Sequence, residues 1–233
     1  MPENLALGPL WYFVFLFSTT CHEAAHAWAA KLGGDLTAYE GGQVTLNPLP
    51  HIQREPLGTV VVPILSFLLS GWMIGWASAP YDPIWRMNYP KRAAWMALAG
   101  PLANFVLVIL AGIAIHVGIA LGFFQPPQQA LFTQVVSPLE AGFPTVFAKF
   151  FSILFSMNLL LATFNLLPFP PLDGNTVIGL FMSDKTAVWF AEFSSNPTFS
   201  WLGLFVAWKV YDAVFSPAFL IALNLLYPTM CYR

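Results

Sequence analysis

The sequence predicts an all-α polytopic membrane protein: a bundle of about 4–6 transmembrane or re-entrant helices, with a small membrane-associated β-hairpin after the first helix. Two observations carry the prediction. Of the 233 residues 58% are hydrophobic and only 9% are charged, against about 25% charged in an average soluble domain, and the mean hydropathy is +0.67. The apolar residues also fall into long runs separated by short stretches rich in Pro and Gly. No run leaves room for a separate soluble domain, so residues 1–233 read as a single intramembrane domain. The small net charge of -2 says nothing about nucleic acid, there is no basic tract, and no nucleic-acid partner is expected.

The elements follow in order. Segment one covers about residues 7–30 and ends at Gly33-Gly34. It is too long for a signal-peptide core and lacks a basic start, so it is expected to be retained. Residues 37–46, Thr-Ala-Tyr-Glu-Gly-Gly-Gln-Val-Thr-Leu, read as a hairpin turning on Gly41-Gly42, and Asn47-Pro48 and Pro50 end it. Segment two runs from about Leu57 to Ala79 with Ser70-Gly71 in its middle. A loop with Asp82, Arg86 and two prolines leads to segment three, about Lys91 to Gly122. A polar stretch around Gln125-Pro126-Pro127 precedes segment four, about Pro144 to Leu167. A Pro-rich turn and a short helix to Met182 follow. The last apolar region, about Phe199 to Tyr227, contains Lys209, Asp212 and Pro217 and reads as one span plus an interfacial piece.

Charge suggests an orientation. Lys31, Arg54, Arg86, Lys91 and Arg92 are five of the nine Lys and Arg, and all lie between segments one and three, whereas residues 123–143 contain none. If both flanks of segment two are cytoplasmic, that segment enters and returns on one side, broken at Ser70-Gly71. The N-terminus is then outside.

Segment one also carries the chemistry. Its apolar run leads into His22-Glu23-Ala24-Ala25-His26, and ionisable groups at membrane depth usually mark function. Positions i and i+4 share a helix face, so His22 and His26 can offer two nitrogens to one metal ion. Glu23 can serve as general base toward a water activated there. A catalytic zinc site usually needs a third protein ligand. Asp173 is the best candidate, because it follows segment four on irregular backbone that could turn inward. His116, set among Ile115, Val117 and Ile119, reads as a packing residue. His51 could contact the site or order its loop. Cys21 points about 100° away from His22 on the helix and reads as packing, and Cys21 and Cys231 at opposite ends of the chain suggest no disulfide framework.

In these motifs the chain resembles the site-2 protease family of intramembrane zinc metalloproteases, peptidase family M50, in its compact subgroup without PDZ or CBS domains. The resemblance covers nearly all of residues 20–180. It rests on His22-Glu23-Ala24-Ala25-His26, on Thr45-Leu46-Asn47-Pro48 with His51, on Ala99-Gly100-Pro101-Leu102-Ala103-Asn104, and on Asn165-Leu166-Leu167-Pro168-Phe169-Pro170-Pro171-Leu172-Asp173-Gly174. One departure is visible: compact relatives tend to carry H-x-D-P-x-G where this chain reads His51-Ile52-Gln53-Arg54-Glu55-Pro56-Leu57-Gly58.

The resemblance implies one Zn2+ per chain held by His22, His26 and Asp173, with Glu23 as catalytic base. Asn165 is a candidate catalytic donor to the oxyanion or substrate backbone; alternatively it bridges helices. Gly100 and Asn104 read as structural, allowing segment three close to segment one, and Asn158 reads as packing segment four. The implied substrate partner is a transmembrane helix of another protein in the lipid bilayer, cleaved within or near the span after local unwinding. The hairpin of residues 37–46 either pairs its edge with the unwound strand or plugs the cytoplasmic face. The expected location is a prokaryotic cell membrane, multi-pass, with the active site toward the cytoplasm. A catalytically inactive binding protein is the alternative, though the intact Glu23 speaks against it. A metal transporter would need further acidic or His pairs along a path.

Overall fold

The computed structural model describes residues 3–233 and is predominantly helical. In chain order the helices are α1 (Glu3–Ala6), α2 (Gly8–Gly33), α3 (Thr37–Glu40), α4 (Pro48–Arg54), α5 (Val62–Ser70), α6 (Pro83–Asn88), α7 (Pro90–Ala120), α8 (Phe143–Asn165), α9 (Asp173–Val177), α10 (Asp184–Ser194) and α11 (Pro197–Leu226). A π-helical turn, Leu57–Val61, leads into α5, and a 3-10 turn, Ile178–Phe181, continues α9.

The starts of three helices share one device. Asn47, Asp82 and Asn196 each accept a hydrogen bond from the backbone two residues on, and a proline occupies the next position. The side chain satisfies a donor that the first turn leaves free, and proline sacrifices an N–H that had no partner there.

By length and apolarity α7, α8 and α11 can each cross a membrane. With 26 residues α2 is also long enough, but His22, Glu23 and His26 dilute its apolarity. α7 packs along both α2 and α8, and α11 lies on α8. The main core lies among them, with Val14, Phe15, Ile115, Ile153 and Leu223 at its centre. The last apolar region is one continuous helix with Pro217 inside it, rather than a span plus a separate piece.

Segment two reverses where the sequence suggested. α5 ends at Gly71, whose φ of 75° only glycine adopts without strain, and the chain runs back extended. On the return, the Ile74 amide donates to Ser66 Oγ at 3.0 Å and the Trp76 amide to Gly58 O at 3.1 Å. At the base, Ser78 Oγ donates to Glu55 Oε1 at 2.7 Å and Arg54 Nε to Ser78 Oγ at 3.2 Å. A Cβ on Gly58 would stand 2.3 Å from Trp76 O, and one on Gly75 the same distance from Gly58 O, so the two arms touch backbone to backbone. The segment therefore enters and leaves on the same side of the bundle.

Residues 37–46 do not form the expected hairpin. Asp35 accepts from the Thr37 amide at 2.9 Å and its hydroxyl at 2.6 Å, which starts a helical turn instead. That turn closes as a Schellman motif: the Gly42 amide donates to Tyr39 O and the Gln43 amide to Ala38 O, both at 2.9 Å. A two-residue hairpin turn of the Asn-Gly type would need positive φ at both glycines, but Gly41 sits at -73° and only Gly42 at 71°. Asp35 Oδ2 also accepts from the Asp82 amide at 2.9 Å. Burial alone would raise the Asp35 carboxyl, but the Thr37 and Asp82 donors outweigh it and hold it below the usual carboxylate range. The small antiparallel sheet lies elsewhere, pairing Phe124–Gln125 with Ser137–Pro138 after α7. The amides of Val135 and Val136 both donate to Ser152 Oγ, at 2.9 and 3.2 Å, fastening that loop onto α8.

Candidate metal centre

Side chains of α2 and α9 meet against α7. One turn apart on α2, the His22 and His26 rings present their Nε2 atoms 3.0 Å from each other. Asp173 Oδ2 lies 3.1 Å from the first and 3.3 Å from the second. Both histidines are buried, and the aspartate is partly so.

Each ring is oriented through its other nitrogen. Nδ1 of His22 lies 2.5 Å from Asn104 Oδ1, and Nδ1 of His26 lies 2.8 Å from Met96 O. Both partners are acceptors, so each Nδ1 carries the proton and donates it. In the neutral ring each Nε2 is then the nitrogen with the lone pair. Asn104 is itself fixed, donating from Nδ2 to Asn158 Oδ1 at 2.8 Å. Asn158 in turn donates to Ser18 Oγ at 2.9 Å and to Leu154 O at 2.7 Å. This chain ties α2, α7 and α8 together where Ser18, Asn104 and Asn158 are fully buried.

The donor set fits zinc. Ligand atoms about 2.0 Å from a tetrahedral ion stand about 3.3 Å apart, and the three separations here are 3.0, 3.1 and 3.3 Å. Two ring nitrogens and a carboxylate oxygen facing one another at this range need a proton or a metal cation between them. These three residues form the one group of at least three potential ligands so placed among the described residues.

Space for the cluster comes from a glycine. A Cβ on Gly100 would lie 2.4 Å from His26 Nε2 and 2.6 Å from His22 Nε2. Gly174 acts likewise for the aspartate, since a Cβ there would meet Leu166 O at 2.3 Å and Leu167 O at 2.4 Å. Only glycine lets the backbone after Asp173 fold back onto the end of α8.

Glu23 is buried beside the cluster, and its Oε2 has no hydrogen-bond partner among the described residues. Asn165, the last residue of α8, donates from Nδ2 to Leu161 O at 3.0 Å within its own helix, and forms no hydrogen bond to the cluster. His116 Nε2 lies 2.9 Å from Leu226 O, its ring edge-on to Tyr227, which is a packing arrangement between α7 and α11. His51 Nε2 lies 3.1 Å from Thr45 O, so it orders its own loop. Cys21 is a free thiol outside the cluster. It helps line an apolar groove of about 460 Å³ with Ala25, Trp28, Val44, Leu46 and Ala103; none of the cluster residues lines that groove.

Asn104 and Asn158 carry more than the structural part that spacing suggested, since they determine which His22 nitrogen is free. The available signal was an amide side chain inside each of two long apolar spans, one of them four residues after Gly100.

Comparison with known proteins agrees with this geometry. The family model of peptidase family M50 matches residues 11–192. "Putative zinc metalloprotease YwhC" of Bacillus subtilis (strain 168) is 34% identical over 177 residues, covering 75% of this chain and 69% of that protein. "Putative zinc metalloprotease Rip2" of Mycolicibacterium smegmatis is 31% identical over 160 residues, covering 69% of this chain and 52% of that protein. The chain thus spans about half the length of the Rip2 relative. No solved structure matches it. The chain belongs to peptidase family M50.

Proposed function

We propose that this M50 chain is an intramembrane zinc metalloprotease that hydrolyses a peptide bond within or near a transmembrane helix of a membrane-protein substrate. In this reading His22, His26 and Asp173 hold the zinc and Glu23 is the general base. The observation that supports it most is the convergence of the two Nε2 lone pairs with Asp173 Oδ2 at 3.0–3.3 Å, next to a buried carboxylate with a free oxygen. The cluster belongs to a bundle whose α7, α8 and α11 can each cross a bilayer.

When bound, zinc supplies Lewis acidity, activating water and polarising the substrate carbonyl. Glu23 takes a proton from the attacking water and returns it to the leaving amine. The Asn104 and Met96 acceptors keep the Nδ1 protons in place, so neither histidine loses its ligand lone pair during the cycle. Asn165 spends one amide proton on Leu161 O and keeps a second N–H for the substrate carbonyl or backbone. A substrate helix hides its peptide bonds in its own hydrogen bonds and must unwind before attack. Helical at its start, the 37–46 segment offers no strand edge there.

Orientation follows from the cations. Arg92 Nη1 donates to Gly33 O at 3.1 Å at the end of α2, near Lys31. Arg54 closes the base of the re-entrant segment. Arg86 and Lys91 bind the α9 region, at Thr176 and Gly179. The five charges thus share one end of the bundle, which we assign to the cytoplasmic side of a prokaryotic cell membrane. The cluster lies on the same half, since His26 is about 7 Å along α2 from Lys31.

The test is zinc content of wild type, Glu23→Gln and Asp173→Ala, each assayed beside cleavage of a transmembrane reporter. Near-stoichiometric zinc in wild type and Glu23→Gln, less in Asp173→Ala, and cleavage by wild type alone are expected. A folded wild type without zinc would end the proposal.

A further inference from the structure

We propose that Lys91 is a positioning residue for Asp173, holding the far end of the element whose first residue is that ligand. The proposal rests on the zinc reading above.

Lys91 stands at the start of α7 and its ammonium has three protons. It donates to Gly179 O at 2.9 Å, to Leu180 O at 3.0 Å and, by a short contact, to Met182 O. Gly179 O and Leu180 O belong to the last turn of the helical run 173–181, and Met182 is the residue that follows it. All three donors are used, and no carboxylate pairs with Lys91 among the described residues. A lysine in the first turn of a helix opposes that helix's own dipole. At Lys91 the charge instead meets the carbonyl end of another helix, where it is favourable.

The Asp173 element is held at three points. At its start Gly174 is jammed against Leu166 O and Leu167 O. In the middle Thr176 Oγ1 accepts from Arg86 Nη2 at 3.3 Å. At its end Lys91 gathers three carbonyls. The run of nine residues is too short to hold itself, so its angle against α2 depends on these ties together with its packing along α7. α7 also supplies Met96 O, Gly100 and Asn104 to the two histidines. Through Lys91 one rigid helix therefore sets all three ligands relative to one another.

The experiment measures zinc affinity by chelator competition, and the Co2+ absorption spectrum, on the purified full chain. The variants are Lys91→Met, Lys91→Arg, Asp173→Ala and the double variant Lys91→Met with Asp173→Ala. Lys91→Met should bind zinc about 10–100-fold more weakly, and Lys91→Arg should recover part of the loss. In the Asp173→Ala background Lys91→Met should add no more than about twofold, because its effect passes through the missing ligand. Wild-type affinity and Co2+ spectrum in Lys91→Met would overturn the proposal. So would an equal loss in both backgrounds, which would mark a general effect on folding. Where Lys91→Met does not fold, Lys91→Gln takes its place, and wild-type affinity in that variant overturns it equally. Undiminished zinc binding by Asp173→Ala alone would instead end the zinc reading itself, a result distinct from the others.

Discussion

α7 and α11 are nearly the same length, 31 and 30 residues, and each contains a proline. Yet 33% of the most apolar stretch of α7 is buried and only 6% of that of α11. What α7 buries is mostly small or polar: Ala93, Ala94, Ala97, Gly100, Asn104, Ala111, Gly112 and Gly118. Of its large residues, Leu102, Val106, Ile109, Leu110, Ile113 and Val117 are exposed, while Met96, Leu107, Val108 and Ile115 are buried. α11 buries small residues only at Gly203 and Ala207 near its start, and otherwise only Leu223 and Leu226 near its end. Apolarity takes both helices into a membrane, but lipid is as apolar as leucine. Close packing there comes instead from small residues and from hydrogen bonds between helices.

The sharpest way to break this comparison is Gly100→Ala on the packed helix. One methyl group would enter the space of both Nε2 atoms, at 2.4 and 2.6 Å. We expect a chain that inserts normally but carries almost no zinc by elemental analysis. Asn104→Ala should come next, weakening zinc binding about 10–100-fold in chelator competition because His22 loses the acceptor that orients it. Asn158→Ala, one link further out, should cost less.

On α11 the expected effects are smaller. Gly203→Val places a Cβ 2.1 Å from Pro170 O, and the resulting backbone shift should cost about 1–3 kcal/mol of stability, read as a lower melting temperature in detergent. Trp201→Ala and Phe205→Ala remove side chains that are 76% and 60% exposed, and should change stability by no more than about 0.5 kcal/mol. A loss of about 2 kcal/mol at either position would show that this face of α11 is covered by something outside the chain.

The same contrast explains what could be read ahead of the structure. The spans were visible because apolar runs are continuous in sequence. Reversal at Ser70-Gly71 was visible because one glycine with positive φ suffices to make it. Asn47-Pro48 and Asp82-Pro83 read as a hairpin end and a loop, but each starts a short helix, because Asn or Asp before Pro suits a turn and a helix start alike. Residues 37–46 were misread for an instructive reason: Gly-Gly suits a hairpin turn and a helix C-cap equally. Asp35, two residues before the segment, decides between them by nucleating α3. The roles of Asn104 and Lys91 were not legible, because each depends on a partner 82 or more residues away.

By itself, then, the sequence determined whatever depends on neighbours within a turn or two. The membrane class, the common face of His22 and His26, and the placing of Glu23 beside them follow from a period of 3.6 residues and from apolar length. The motif around Asp173 also pointed to a third ligand. Tertiary structure alone decided that Asp173 reaches the histidines, that Asn104 and Met96 turn their lone pairs inward, and that α7 rather than α11 frames the site. Those outcomes depend on which helix faces touch, and in a bilayer that choice is made by a few small and polar residues whose partners lie far along the chain.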